Sequence, residues 1–296
     1  MIMEKEMNMN RRRWSLVLFV SAFLFMTCGL AVQAGEKAQQ SGESSLTGGL
    51  TVEEIVERGN RVAYYQGRNG RAQVHMVIKD GKGRTRERLL TILRWDDQPE
   101  DDKNDEICKD QKFYVYFKRP ADVNKTAFLV WKHMDRDDDR WLYLPALDLK
   151  KRIASGDKRT SFVGSHFFYE DVSGRNVKAD VHELMETTER YYVLNNTPKD
   201  RKNIEFAYFK VWVHKVTFIP IRTEYYTSRG EKYRVYEALK VETIDGYPTV
   251  IEARMKDLRS GGETVATYRK VKYNIGLPEN IFTERYLRNP PRKYLR

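Results

Sequence analysis

A two-residue period is the feature that most constrains how this chain can fold. Ile251, Ala253 and Met255 alternate with Glu252 and Arg254, and Val271, Tyr273 and Ile275 alternate with Lys270, Lys272 and Asn274. Successive side chains of a strand point to opposite sides of a sheet, so each run predicts a strand with one wet and one apolar face. Shorter runs of the same kind lie at 72–78, 86–95, 127–131, 181–185, 191–194, 206–214, 221–226 and 233–241. Turn signals at Asp80-Gly81, Asp245-Gly246 and Gly261-Gly262 punctuate them; Asp80-Gly81 is a strong hairpin signal because that dipeptide tolerates positive φ. The stretch Phe113-Tyr114-Val115-Tyr116-Phe117 is apolar on both faces and predicts a strand covered on both sides. The sum is about ten or eleven antiparallel strands, a mainly β (α+β) chain. One helix is predicted over 51–65. Thr51-Val52-Glu53-Glu54 has the form of a capping box, and Gly59 weakens the helix's middle.

The N-terminus reads as an export signal. Arg11, Arg12 and Arg13 precede the apolar run Trp14–Leu30, and Val32-Gln33-Ala34 offers a small-residue cleavage site. An uncleaved membrane anchor is the alternative, because the apolar run approaches spanning length. Acylation at Cys28 would need a lipobox, and Phe25-Met26-Thr27 lacks the usual leucine. No second run is long and apolar enough to span a bilayer. The expected organisation is a signal peptide at 1–34, a flexible leader at 35–50, one β domain at 51–288 and a basic tail at 289–296, for which a disordered terminus is the plainer reading. Removing 1–34 takes away Lys5 and three arginines against Glu4 and Glu6, so the formal charge falls from +11 to +9. A basic exported protein is drawn to anionic headgroups; export and the lack of a nucleic-acid motif exclude nucleic acid. Cleavage would leave Cys108 alone, in an acidic insert at 96–111, with no intramolecular disulfide possible.

The segment 141–171, WLYLPALDLKKRIASGDKRTSFVGSHFFYED, carries the most information. Its strand at 141–144 stops at Pro145, which cannot donate to a ladder. A short strand at 149–153, a loop at 155–159 and an aromatic-acidic end follow. No catalytic machinery is apparent in the chain. His75, His133, His166, His182 and His214 show no zinc-ligand spacing. Asp135, Asp137, Asp138 and Asp139 fail the EF-hand template, which needs glycine where Arg140 stands, and read as a solvated hairpin turn. Ser161 and Ser165 carry no mark of activation, and no nucleophile elbow or phosphate loop occurs. Neither a metal nor a cofactor is expected, and the chain does not read as an enzyme.

The same segment resembles the outer membrane lipoprotein-sorting protein family, LolA-like periplasmic carriers. Trp141 to Leu147, Lys151-Arg152, Ile153, Asp157, Arg159, Ser161-Phe162, Gly164-Ser165, Phe167 and Tyr169-Glu170-Asp171 fit its pattern. Phe117 to Leu129, Ile219 to Arg222, Val271 to Pro278 and Phe282 to Leu287 fit as well, so the resemblance covers roughly 52–288. His166 stands where an acid is expected and Phe168 where a small or polar residue is expected. The insert at 96–111 is long, the stretch 186–196 lacks a glycine turn, and the tail runs past the family's usual end. The resemblance implies an open antiparallel half-barrel with helices across its concave face.

It also implies a periplasmic carrier or chaperone that shields the acyl chains of a lipoprotein or phospholipid on the way to the outer membrane. An inner-membrane exporter and an outer-membrane acceptor would be its partners, and a monomer is expected. The alternative is a sensor or accessory module that binds a membrane-protein partner; a flat, well-filled concave face would favour it. Phe113, Phe117, Phe128, Trp131, Trp141, Tyr143 and Trp212 are the expected cavity wall, although an apolar wall and an apolar core have the same chemistry. Asp157 and Arg159 are candidates for holding a gating loop. The plainer reading makes Asp157 a turn residue and Arg159 part of an ordinary surface ion pair.

Overall fold

The computed structural model describes residues 49–97, 110–202 and 204–296. The export signal, nearly all of the leader, most of the acidic insert and Cys108 lie outside the described residues. Thr51 starts helix α1 (Val52–Tyr64) as its capping box requires. Thr51 Oγ1 accepts from the Glu54 N–H at 3.2 Å, and the Glu54 carboxylate accepts from the Thr51 N–H at 2.7 Å.

Thirteen strands follow in place of ten or eleven. They are β1 (Asn69–Lys79), β2 (Thr85–Asp96), β3 (Gln111–Arg119), β4 (Ala127–Lys132), β5 (Asp139–Leu144), β6 (Leu149–Arg152), β7 (Asp180–Thr187), β8 (Tyr191–Pro198), β9 (Tyr208–His214), β10 (Pro220–Tyr226), β11 (Lys232–Ile244), β12 (Tyr247–Asp257) and β13 (Gly262–Tyr273). Strand β13 begins well before Val271 because its inward residues there, Gly262, Thr264 and Ala266, are too small to register as an apolar run. The Asp80-Gly81 hairpin forms, but for a different reason: Gly83, not Gly81, takes positive φ. A Cβ at Gly81 would fall 2.0 Å from the Ser260 carbonyl, so this glycine lets two hairpin tips touch. The turn from β7 to β8 manages without glycine, because the Thr188 hydroxyl accepts from the Tyr191 N–H at 2.9 Å.

All thirteen strands form one antiparallel sheet ordered β6-β5-β4-β3-β2-β1-β13-β12-β11-β10-β9-β8-β7. The first and last strands pair at its centre. Strands β6 and β7 are neighbours in the chain yet occupy opposite edges, so the sheet is open and the chain between them, 153–179, crosses one face as a strap. Within the strap is a short helix, α2 (Tyr169–Ser173).

Side-chain parity sorts the core into two faces. Val74, Phe113, Val115, Phe117, Phe128, Val130 and Leu142 pack beneath the strap residues Phe162, Phe167 and Tyr169. Ring centroids there lie 5.2–5.6 Å apart. The alternate residues Tyr114, Leu129, Trp131, Trp141 and Tyr143 face the other way, against Leu277, Ile281, Phe282, Leu287 and Leu295. Strand β3 is thus covered on both sides, as its unbroken aromatic run predicts. The C-terminal segment is ordered: Leu295 is 5% exposed, and its carbonyl accepts from Lys118 Nζ at 2.6 Å and Thr91 Oγ1 at 3.4 Å. A disordered basic tail was the expectation; Leu295 overturns it, because one leucine among the charges is enough to fill a gap beside the tryptophans.

Candidate functional site

Helix α1 lies on the strap's side of the sheet. Its buried Ile55 packs with Tyr192, Leu194 and Val213 of β8 and β9. Between the helix, the strap and the sheet is a cavity of about 430 Å³, within the range of about 300–1,000 Å³ typical of ligand sites. Its two ends differ in chemistry. At one end Val56, Val62 and Ala63 of α1 face Leu194, Val211, Val213 and Ile219. At the other, Tyr64, Tyr225, Tyr236 and Tyr268 gather near Asp171 of the strap.

Buried charge pairs fasten the strap. Arg159 is 9% exposed and forms a bidentate pair with Glu205, at 2.7 Å for both bonds, while its third nitrogen donates to Glu170. Arg175 grips Asp180 of β7 in the same forked way, at 2.8 and 2.9 Å. Arg234 of β11 donates to Asp171 and, at 3.1 Å, to the His166 carbonyl. Forked guanidinium–carboxylate pairs fix geometry as well as charge. Burial pushes the Glu170 carboxyl up, but Arg159, Arg175 and Lys158 outweigh it and hold it below the ordinary value. Phe168 explains its own departure from the family pattern: its ring lies 3.8 Å from the Arg234 guanidinium and 5.2 Å from that of Arg159.

Of the seven aromatics expected on a cavity wall, Phe113 lines the cavity. Phe117 and Phe128 are on the same face but fully buried under Phe162. Trp131, Trp141 and Tyr143 lie on the opposite face, where Trp131 donates to the Phe282 carbonyl at 2.7 Å. Trp212 also points away, between the cavity-lining Val211 and Val213, with Arg222 over its ring. The four tyrosines carry no shared sequence signal, because they come from α1, β10, β11 and β13, and only the fold brings them together.

Asp157 is exposed and serves the turn: its carbonyl accepts from the Thr160 N–H at 3.0 Å and hydroxyl at 2.8 Å. Arg159 departs from the surface ion pair expected of it, because it is buried between Glu170 of the strap and Glu205 of the connection from β8 to β9. The aspartates at 135–139 do form the turn between β4 and β5. They are not simply solvated, since Asp139 is 7% exposed and bonds His133, Arg136 and Arg152. Ser161 and Ser165 donate to backbone carbonyls within the strap, and the His166 ring meets the Thr264 hydroxyl at 2.8 Å.

A family model described as that of an uncharacterized protein family matches residues 109–289. A DUF1329 family protein from Desulfovibrio piger aligns with a TM-score of 0.69 at 29% identity, over 80% of this chain and 98% of its own. A putative outer membrane lipoprotein-sorting protein domain from Vibrio parahaemolyticus aligns with a TM-score of 0.69 at 28% identity, over 79% and 97%. The chain belongs to the family whose model it matches. A LolA superfamily protein from Nitrosomonas europaea, at 20% identity, shares the LolA-like fold with a TM-score of 0.60 over 80% of this chain and 99% of that one. No curated protein matches. The LolA-like sheet is the open half-barrel expected, with α1 and the strap over its concave face. No described helix is long and apolar enough to cross a membrane.

Proposed function

We propose that the protein is a periplasmic carrier that shields an acyl chain of a lipid or lipoprotein bound for the outer membrane. The observation that carries this reading is the cavity under α1, whose aliphatic end has room for a hydrocarbon chain. Burial of an acyl chain is worth about 0.8 kcal/mol per methylene, so such a site needs no sharp motif. The solved relative from Vibrio parahaemolyticus is described as a putative lipoprotein-sorting domain, which supports the same reading. An accessory module without cargo would be favoured by a filled concave face, and this face holds a cavity instead. In the carrier, Arg159 holds the strap across the cavity while Asp157 only shapes its first turn. The strap serines donate to backbone carbonyls, which speaks against a hydrolase.

The test is to export the protein, purify it without detergent, and analyse an organic extract by mass spectrometry. A stoichiometric lipid or acylated peptide is expected. A clean extract, together with no uptake of the apolar fluorophore N-phenylnaphthylamine, would sink the carrier reading.

A further inference from the structure

The tyrosine end of the cavity is built unlike the rest of the wall. Tyr64, Tyr225, Tyr236 and Tyr268 line it, and none of their hydroxyls hydrogen-bonds to a described residue. All four are half-buried, so each O–H is left to the cavity space and what enters it. Burial, and after it the negative charge of Asp171, pushes the Tyr225 and Tyr268 phenols up to about 12, and the Tyr64 and Tyr236 phenols are raised as well. All four are therefore protonated donors at neutral pH, gathered in one place.

The charges around them are already engaged: Lys132 Nζ, 5.1 Å from the Tyr64 ring centre, donates to the Ser173 carbonyl at 2.8 Å and lies in the field of Asp96. Arg159 is taken by Glu170 and Glu205, Arg175 by Asp180 and Glu170, and Arg234 by Asp171. An anionic head entering this end would find no arginine of the three without a carboxylate partner, and would face Asp171. A neutral acceptor, such as an ester carbonyl, would meet phenol donors and no opposing charge.

We infer that the cargo's polar end is a neutral, oxygen-accepting group such as an ester carbonyl, held inside by the tyrosine hydroxyls while the hydrocarbon lies toward α1 and β8–β9. This rests on the carrier reading and names the chemical class of its cargo. A free fatty acid or an anionic phospholipid head is disfavoured at this end.

Two ligands of one chain length separate head from tail: methyl laurate and laurate, each displacing N-phenylnaphthylamine at pH 8. Methyl laurate is expected to displace the probe at a concentration at least about tenfold lower. Replacing three phenols at once, Tyr225→Phe with Tyr236→Phe and Tyr268→Phe, keeps the rings and removes only hydroxyls. A net hydrogen bond is worth roughly three- to tenfold in affinity, so the triple variant should weaken methyl laurate about tenfold or more, measured against the probe's own affinity for that variant. Asp171→Asn should narrow the gap by strengthening laurate. Laurate competing as well as the ester, or a triple variant that binds the ester as the parent does, overturns the inference and spares the carrier reading. Failure of the parent to bind the probe, together with a clean organic extract, overturns both.

Discussion

Arg159 and Asp96 show how differently two buried charges can behave. Arg159 is shared by two carboxylates, so its removal leaves Glu170, which is 3% exposed, with only the longer contacts to Arg175 at 3.4 Å and Lys158 at 3.7 Å. Breaking such a pair from one side costs about 3–5 kcal/mol. Arg159→Ala is expected to lose that much in urea unfolding, and Arg159→Lys to recover only part of it, since an ammonium cannot fork onto Glu205. Asp96 is 1% exposed, and one of its oxygens has no partner among the described residues. Burial pushes its carboxyl up to about 6, against the opposing pull of Arg94 and Gln111. The folded state therefore holds this proton more tightly than the unfolded chain. Between its ordinary value of 3.8 and about 6, stability from this group falls as pH rises, then levels off. Asp96→Asn should remove that slope, worth at most about 3 kcal/mol. Urea midpoints at pH 4, 5, 6 and 7 for both proteins check it.

Two glycines separate element-level constraint from element-level slack. Gly174 ends α2 at φ +76°, and a Cβ there would lie 2.5 Å from the Tyr64 ring. Gly174→Ala is expected to destabilise by about 1–3 kcal/mol and to displace α1 from the strap. Gly59 lies within α1, and a Cβ would meet its nearest neighbour, the Phe218 carbonyl, at 3.6 Å, ordinary contact. Gly59→Ala should therefore stabilise by about 0.5–1 kcal/mol; thermal melts of the pair show opposite signs. Helix α1 was legible in the sequence because a capping box is local, written in four consecutive residues. The strands were legible because their period is local too. The wall of the cavity was not. Phe128 and Trp131 are three residues apart on one strand and so face opposite ways, yet nothing local says which face is concave. That is decided by β1 pairing with β13 and by a strap whose partners, Glu205 and Arg234, come from distant positions.

For the whole molecule, the outer face matters as much as the concave one. Trp131 and Trp141 meet edge to face at 4.9 Å and are roofed by the chain from Leu277 to Leu295. Leu295→Ala is expected to cost about 2–5 kcal/mol, as for other buried leucines, and to raise tryptophan exposure to acrylamide quenching without changing probe uptake in the cavity. A tail that contributed only charge would show neither effect. The roof leaves the opposite face free to open or close around a ligand.

How far it can open is set by topology. The two edges of the sheet are consecutive in the chain and tied by 153–179, so sheet and strap stand to each other as a bow to its string. A bow flattens only as far as its string allows. With Arg159 and Arg234 pinning that string at Glu205 and Asp171, the curvature of the sheet, and with it the girth of anything it can enclose, is a property of one connecting segment and not of the thirteen strands.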